Sequence, residues 1–229
     1  MSMDAVAAAI AHEVGQPLSA VTTSASAGLI WLSKEQPDLD KVREALAAAL
    51  DAGRRSFEVL KSTRAMFTKG PADLTEFDFN ELVRDSVLLL DREMAAKKIS
   101  LQLALDEALP PIVGNQVLMQ QVLVNLLTNA MESIEGKKSQ PKRIEVRSAP
   151  ANGSDVLLEV SDTGAGIPAD KIDKIFDAFF TTKGRGTGLG LSLCRTIVEE
   201  RGGRLWASTG EKHGATFHLQ LPAGGFTAR

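Results

Sequence analysis

The chain has 229 residues, of which 44% are hydrophobic and 24% are charged, with a formal net charge of −3. These values are typical of a globular protein, and the length favours two domains over one. The slightly negative charge argues against a nucleic-acid partner, because such partners need clustered Lys and Arg. The only cysteine, Cys194, excludes an intramolecular disulfide and a cysteine metal cluster. No apolar run approaches the roughly 20 residues that span a bilayer, so we expect no membrane segment in this chain.

Residues 4–67 have the apolar spacing of two long amphipathic helices. The run Gln36-Pro37-Asp38 interrupts the spacing, and Asp38 is a suitable N-cap for the second helix. Such a short connection predicts an antiparallel hairpin, whose apolar faces are too long for two helices to bury. We therefore expect a homodimer in which two hairpins form a four-helix bundle. The alternative is that the hairpin packs on the rest of its own chain.

Beyond Lys69-Gly70-Pro71, helical and strand patterns are mixed without a strict β-α-β order. This mixture predicts one mixed sheet with helices on one face. The expected fold class is α+β, with a helical hairpin over 1–70 and a mixed-sheet α/β sandwich over 71–229. Strands are predicted over 77–79, 99–105, 144–148, 156–161, 205–208 and 216–221. Helices are predicted over 80–97 with Asn80 as cap, and over 116–135, 171–175 and 189–201.

The first helix carries His12 on the face opposite its apolar stripe, and Gln16 shares that face one turn later. An isolated surface histidine usually has no chemical role, but two neighbours give this one a setting. Glu13 is placed to bond one ring nitrogen, which raises the nucleophilicity of the other. Pro17 removes a backbone hydrogen bond from the same turn and makes it a candidate hinge.

The run Ala11-His12-Glu13-Val14-Gly15-Gln16-Pro17-Leu18 resembles the phosphoacceptor motif of sensor histidine kinases. Its Gln-Pro form resembles the branch that includes oxygen-sensing and dicarboxylate-sensing kinases. The resemblance implies that His12 accepts phosphate and that Glu13 assists as base. Many members carry Thr or Asn at the position of Gln16, where the side chain holds the water that dephosphorylates the response regulator. The resemblance therefore leaves phosphatase activity open.

Four separated segments of the second domain contain residue types that bind nucleotides. In the first, Asn125 and Asn129 share one helix face, and their amides can bind Mg²⁺ and phosphates without adding negative charge. In the second, Asp162 follows a strand, and its carboxylate can accept the exocyclic amine of adenine. Gly164 and Gly166 then allow the backbone to pass close to the ring.

The third segment is a candidate mobile loop over the nucleotide, and both remaining segments offer phosphate contacts. Aromatic residues from Phe176 to Phe180 lead to Lys183, whose ammonium group can reach a phosphate. A glycine-rich run then opens a helix, where backbone N–H groups favour anions. This run does not follow the first strand of a β-α unit, as a Rossmann site requires, and it lacks the P-loop pattern. A Rossmann or P-loop site is therefore disfavoured. Its candidate contacts are Gly186, Thr187, Gly188, Leu189 and Gly190.

In this order and spacing the segments resemble the N, G1, F and G2 boxes of the Bergerat-type ATP site. Histidine kinases, gyrase-type topoisomerases and mismatch-repair ATPases share that site. The late run Gly214-Ala215-Thr216 resembles the element whose Thr supports adenine. Over residues 5–222 the resemblance implies binding of ATP and Mg²⁺, with the metal on Asn129. ATP-hydrolysing relatives carry Glu where this chain has Asn125, so we expect slow hydrolysis and transfer of the γ-phosphate to His12.

Together these features predict a protein-histidine kinase of a two-component system. We expect autophosphorylation on His12, followed by transfer to an aspartate of a response-regulator receiver domain. We expect a cytoplasmic homodimer, with any membrane anchor of the full-length protein lying in parts outside this sequence. Two alternatives keep the same fold: an enzyme that acts mainly as a response-regulator phosphatase, and a non-catalytic ATP-binding dimer module. A Bergerat-type hydrolase is disfavoured by Asn125.

Overall fold

The computed structural model describes residues 3–67, 74–135, 141–151, 155–181, 188–210 and 214–223. In the first of these ranges, side chains are described only for residues 15–54 and 56. The chain divides into two compact units, one with both long helices and the other with the strands. The predicted domain limits at 70 and 71 stay a prediction, because residues 68–73 lie outside the described ranges. Within those ranges, no helix is long and apolar enough to cross a membrane.

The first unit is an antiparallel hairpin of α1 (Met3–Leu32) and α2 (Leu39–Phe67). Asp38 caps α2 as predicted, since its Oδ1 accepts the backbone N–H of Lys41 at 3.0 Å. The helices approach closely where Gly28 meets Ala45, because a Cβ at Gly28 would lie 3.5 Å from the Ala45 Cβ. Large apolar side chains remain exposed in a single copy of this hairpin, namely Leu18, Leu29, Ile30, Leu32, Leu39, Leu46 and Leu50.

The second unit contains a five-stranded sheet in the order β2-β4-β5-β7-β6, in which β2 is parallel to β4 and the other neighbours are antiparallel. A separate antiparallel pair joins β1 to β3. The helices of this unit are α3 (Phe79–Lys97), α4 (Gln116–Glu135) and α5 (Gly190–Glu199). The strands are β1 (Thr75–Phe77), β2 (Ser100–Ala104), β3 (Ile112–Gly114), β4 (Arg143–Pro150), β5 (Val156–Asp162), β6 (Arg204–Thr209) and β7 (Ala215–Leu221).

The core of this unit lies between the sheet and α4 and α5. Side chains along β5 and β7 alternate strictly between buried and half-buried positions, as expected when one sheet face is covered. On the covered face α4 contacts β4 and β5, while α5 contacts β6. The expected α+β class, with a helical hairpin and a mixed sheet, is therefore confirmed.

The start of α3 corrects one prediction. The N-cap is Asp78, whose Oδ1 accepts the N–H groups of Asn80 and Glu81, and not Asn80. Asn80 is buried, and its amide donates to the Asp106 carbonyl at 2.7 Å and accepts from Ser148 Oγ at 2.8 Å. The first strand accordingly ends at Phe77, two residues earlier than predicted.

Two further corrections concern short elements. The helix predicted over 171–175 is replaced by two 3₁₀ turns, Ala169–Lys171 and Lys174–Phe176. Strand β3 was not predicted, because its three residues are too few to show a period. Helix α5 ends at Glu199, earlier than predicted, where Gly202 takes a φ of 70° and the Gly203 N–H returns to the Val198 carbonyl.

Candidate nucleotide site

Asp162 ends β5 with its side chain on the covered face of the sheet, where the residue is only 5% exposed. Its Oδ1 accepts two hydrogen bonds, one from the Gly164 backbone N–H at 2.7 Å and one from Ser133 Oγ at 3.1 Å. Donors to a carboxylate stabilise its ionised form and fix its plane. The structure thus holds a buried, oriented carboxylate at the position predicted to bind adenine.

Glycines allow three backbone segments to meet around Asp162. A Cβ at Gly164 would lie 2.2 Å from Ser133 Oγ and 2.5 Å from the Ser133 carbonyl carbon. A Cβ at Gly166, where φ is +75°, would lie 2.8 Å from the Gly214 carbonyl oxygen. A Cβ at Gly214, where φ is +82°, would lie 1.8 Å from the Asp162 carbonyl oxygen. No other residue type fits these contacts without a backbone shift.

The two asparagines lie one turn apart on α4, and both are half-buried. The Asn129 amide donates to the Asn125 carbonyl at 3.0 Å. The Asn125 amide donates to the Cys194 Sγ at 3.5 Å. A Cβ at Gly190 would lie 3.8 Å from both polar atoms of the Asn125 side chain. The first turn of α5 therefore begins beside Asn125, so the first and fourth segments meet here.

The Cys194 thiol at this contact is buried, which disfavours its reactive thiolate form. Burial raises the pKa of the Cys194 thiol to about 12, against a smaller lowering by the Asn125 hydrogen bond. The thiol is thus protonated at neutral pH and acts as a small packed group between α4 and α5.

Other predicted site residues are placed differently. Thr216 pairs in register with Ser161, and their hydroxyl oxygens are 2.9 Å apart. Because side chains alternate along β5, this pair lies on the sheet face opposite the Asp162 carboxylate. The backbone of Gly214, two residues before Thr216, lies close to the Asp162 carbonyl oxygen. Gly188 has a φ of 68° and Leu189 is buried. Lys183, Gly186 and Thr187 lie outside the described residues.

The arrangement has counterparts among known proteins. Residues 114–225 match the family of histidine kinase-, DNA gyrase B- and HSP90-like ATPases. The sensor protein FixL of Bradyrhizobium diazoefficiens is 34% identical over 223 residues, which cover 97% of this chain and 44% of FixL. The C4-dicarboxylate transport sensor protein DctS of Rhodobacter capsulatus is 29% identical over 222 residues, which cover 97% of this chain and 34% of DctS. The chain therefore spans less than half the length of these relatives.

Solved structures decide the family. The catalytic domain of the histidine kinase ThkA, in a nucleotide-free form, is 32% identical with a TM-score of 0.59, over 66% of this chain and 96% of that domain. This chain belongs to the sensor histidine kinases. ThkA in complex with the response regulator protein TrrA is 26% identical with a TM-score of 0.74, over 96% of this chain and 61% of that one. The predicted resemblance to the oxygen-sensing and dicarboxylate-sensing branch is confirmed by FixL and DctS.

The run that resembles the histidine kinase phosphoacceptor motif lies on α1. The positions of His12 and Glu13 are in this helix, which continues through Pro17, but their side chains are outside those described. The Gln16 side chain is exposed one turn after His12. The motif is thus carried by a continuous helix, with a polar residue at the surface of the following turn.

Mg²⁺ is the metal implied by the family, and the chemistry of the donors fits it. The Asn129 amide nitrogen donates a hydrogen bond to the Asn125 carbonyl, and an amide oxygen is a hard ligand of the kind that Mg²⁺ prefers. Among the residues that the structure describes, no three His, Cys, Asp or Glu side chains cluster to hold a metal. A site of one or two protein oxygens suits Mg²⁺, since it takes its other ligands from nucleotide phosphates and water.

Sequence reasoning missed three residues that support the site: Ser133, Ser161 and Cys194. Ser133 had a usable signal, since it lies four residues after Asn129 and eight after Asn125 on one helix face. Ser161 and Cys194 had none, because their partners come from segments 55 and 69 residues away.

Proposed function

We propose that this chain is the catalytic core of a protein-histidine kinase. It binds ATP with Mg²⁺, transfers the γ-phosphate to His12, and passes that phosphate to an aspartate of a response-regulator receiver domain. The observation that carries the proposal is Asn125, which lies beside the start of α5 where ATP-hydrolysing relatives carry a glutamate base. The proposed location is the cytoplasm, and the proposed assembly is a homodimer.

In this proposal, residues of the candidate site hold the nucleotide at both ends. The Asp162 carboxylate accepts the exocyclic amine of adenine, in the backbone setting formed by Gly164 and Gly166. The N-terminal turn of α5 directs backbone N–H groups and the positive end of the helix dipole toward phosphates. Lys183, Gly186 and Thr187 complete the phosphate contacts in this proposal.

Transfer to histidine is a single displacement at the γ-phosphorus. A ring nitrogen of His12 forms the new N–P bond while the bond from phosphorus to the β–γ bridging oxygen breaks, and ADP leaves with that electron pair. Glu13 accepts the proton of the other ring nitrogen, which balances the charge of the phosphorylated ring. Mg²⁺, when bound through Asn129, neutralises charge on the phosphate oxygens. Positioning and charge stabilisation supply most of the rate, as in other phosphoryl transfers.

The same residues disfavour hydrolysis as the main reaction. Water attacks the γ-phosphate efficiently only when a general base activates it, which contributes about 10²–10⁴-fold. The amide of Asn125 cannot accept that proton, and its nitrogen donates a hydrogen bond to the Cys194 Sγ. The bound γ-phosphate is then preserved for His12.

A homodimer accounts for the apolar surface of the hairpin. Leu29 is 67% exposed and Leu50 is 66% exposed in one copy of the chain. Both lie on helices that already pack against each other, so a second hairpin is the partner that would bury them. For the regulator, support comes from the structural likeness to ThkA, which was solved with TrrA.

The test is incubation with γ-labelled ATP and Mg²⁺, using His12→Gln as the control. The proposal predicts acid-labile label on the wild-type chain and none on the variant. Acid-labile label that persists on His12→Gln would remove His12 from the mechanism.

A second activity, dephosphorylation of the regulator, is favoured by one observation. Gln16 is exposed one turn after His12, where its amide can hold a water against a docked receiver domain. A phosphorylated receiver incubated with the chain should lose phosphate faster than with Gln16→Ala. If the two rates are equal, Gln16 has no part in phosphatase activity, while the kinase proposal is unaffected.

A further inference from the structure

We infer that Ser133 is a positioning residue for purine selection, which acts on the nucleotide through Asp162. The inference rests on the proposed ATP site and adds to it a residue on the adenine side. Ser133 lies on α4 four residues after Asn129 and eight after Asn125, so a single face of this helix carries all three side chains. That face therefore runs from the phosphate end of the site to its base end.

Ser133 forms two hydrogen bonds with the end of β5 and the segment that follows it. Its hydroxyl donates to Asp162 Oδ1 at 3.1 Å, and its backbone carbonyl accepts the Ala165 N–H at 3.3 Å. Gly164 fits between these bonds only because it lacks a side chain, since a Cβ there would lie 2.2 Å from Ser133 Oγ. The hydroxyl and the carbonyl of one residue thus fix both the carboxylate and the loop that carries it.

The hydroxyl also decides what the carboxylate can recognise. With Oδ1 accepting from Ser133 and Gly164, the Asp162 carboxylate is held in one plane. An ionised carboxylate only accepts hydrogen bonds, so it pairs with the 6-amino group of adenine and repels the 6-oxo group of guanine. Without the Ser133 donor the carboxyl group loses one of the hydrogen bonds that fix its plane, and it gains freedom to rotate away from the 6-amino group.

The experiment compares ATP and GTP binding to the whole chain by isothermal titration calorimetry. Ser133→Ala removes the hydroxyl but keeps the helix and the backbone bond to Ala165. We expect ATP to bind about tenfold more weakly and GTP no more weakly than to wild type, so that the ATP-to-GTP affinity ratio falls about tenfold. Ser133→Thr retains a hydroxyl and should restore most of the ratio. Thr196→Ala, which removes a hydroxyl that donates to the Ser192 carbonyl one turn earlier on α5, should leave the ratio unchanged.

Two outcomes overturn the inference. If Ser133→Ala weakens ATP and GTP equally, Ser133 only supports the loop and does not select the base. If wild type binds ATP and GTP equally, there is no selection for Ser133 to support. Wild type that binds neither nucleotide contradicts the proposed ATP site itself, which separates the failure of that proposal from the failure of this one. Thermal unfolding of each variant shows whether the protein remains folded.

Discussion

The Asn125 amide donates to the Cys194 Sγ at 3.5 Å and so joins α4 to the first turns of α5. By resemblance to the Bergerat-type site, position 125 is where ATP-hydrolysing relatives carry a carboxylate base, and a thiol with its pKa raised to about 12 does not replace that base. In the proposed mechanism, the side chain that distinguishes transfer from hydrolysis is therefore also part of the packing between two helices of the candidate site.

Replacing Asn125 by Glu tests this distinction. We expect Asn125→Glu to raise ATP hydrolysis about tenfold, which is below the full effect of a well-placed general base. We also expect less phosphoprotein, because water then competes with His12 for the γ-phosphate. Release of inorganic phosphate and protein-bound label are measured in the same reaction. The control Asn125→Gln has a similar length but no base, and an equal rise in hydrolysis for this variant would contradict the assignment.

The Cys194 thiol predicts a loss of stability at alkaline pH. Its pKa is about 12 in the folded chain against an ordinary value of 9.0, because burial penalises the thiolate. Since the folded state prefers the protonated thiol, its contribution is complete below pH 9 and is lost as pH rises from 9 towards 12. At pH 10 the loss is roughly 1 kcal/mol.

Urea denaturation of wild type and Cys194→Ala at pH 8 and pH 10 measures this effect. The free energy of unfolding of wild type should fall by roughly 1 kcal/mol more than that of Cys194→Ala over this interval. The chain contains no tyrosine, so no phenol titrates over the same interval. Equal pH dependence of the two proteins would show that the thiol is not desolvated.

A side chain at Gly214 should cause the strongest steric clash near the candidate site. A Cβ there would lie 1.8 Å from the Asp162 carbonyl oxygen, and its φ of +82° already disfavours a side chain. We expect Gly214→Ala to lower the free energy of unfolding by about 2–4 kcal/mol and to abolish ATP binding. Gly114→Ala is the matched control, since its Cβ would make an ordinary 3.5 Å contact with Phe77. Similar losses for both variants in urea denaturation would contradict the close approach of Gly214 to Asp162.

The exposed leucines of the hairpin predict a dimer that charge disrupts. Leu29 and Leu46 are 67% and 53% exposed on facing helices of one copy. We expect wild type to sediment with twice the mass of one chain. The double variant that combines Leu29→Glu and Leu46→Glu should sediment as a monomer, because burying carboxylates in the dimer interface is strongly unfavourable. Leu88→Glu, on α3 and 74% exposed, is the control and should leave the dimer intact. A monomeric wild type would contradict the four-helix bundle.

Long periodic segments were predicted well because their signal is local. Helix α4 was predicted with its observed limits, and the hairpin with its Asp38 cap, since apolar spacing and capping residues suffice there. The cap of α3 was predicted wrongly because both Asp78 and Asn80 suit the position, and only the Asp106 carbonyl and Ser148 draw Asn80 into the core. The candidate site follows the same rule: motifs suffice to predict Asp162 and the asparagines, whereas Ser133 and Cys194 depend on tertiary contacts.

The most direct test of the central claim follows both products of γ-labelled ATP in one reaction of the wild-type chain. The proposed mechanism predicts that label accumulates on protein in an acid-labile form, that peptide mapping places it on His12, and that little free phosphate is released. Steady release of free phosphate without labelled protein would contradict it, because the γ-phosphate would then pass to water and not to histidine.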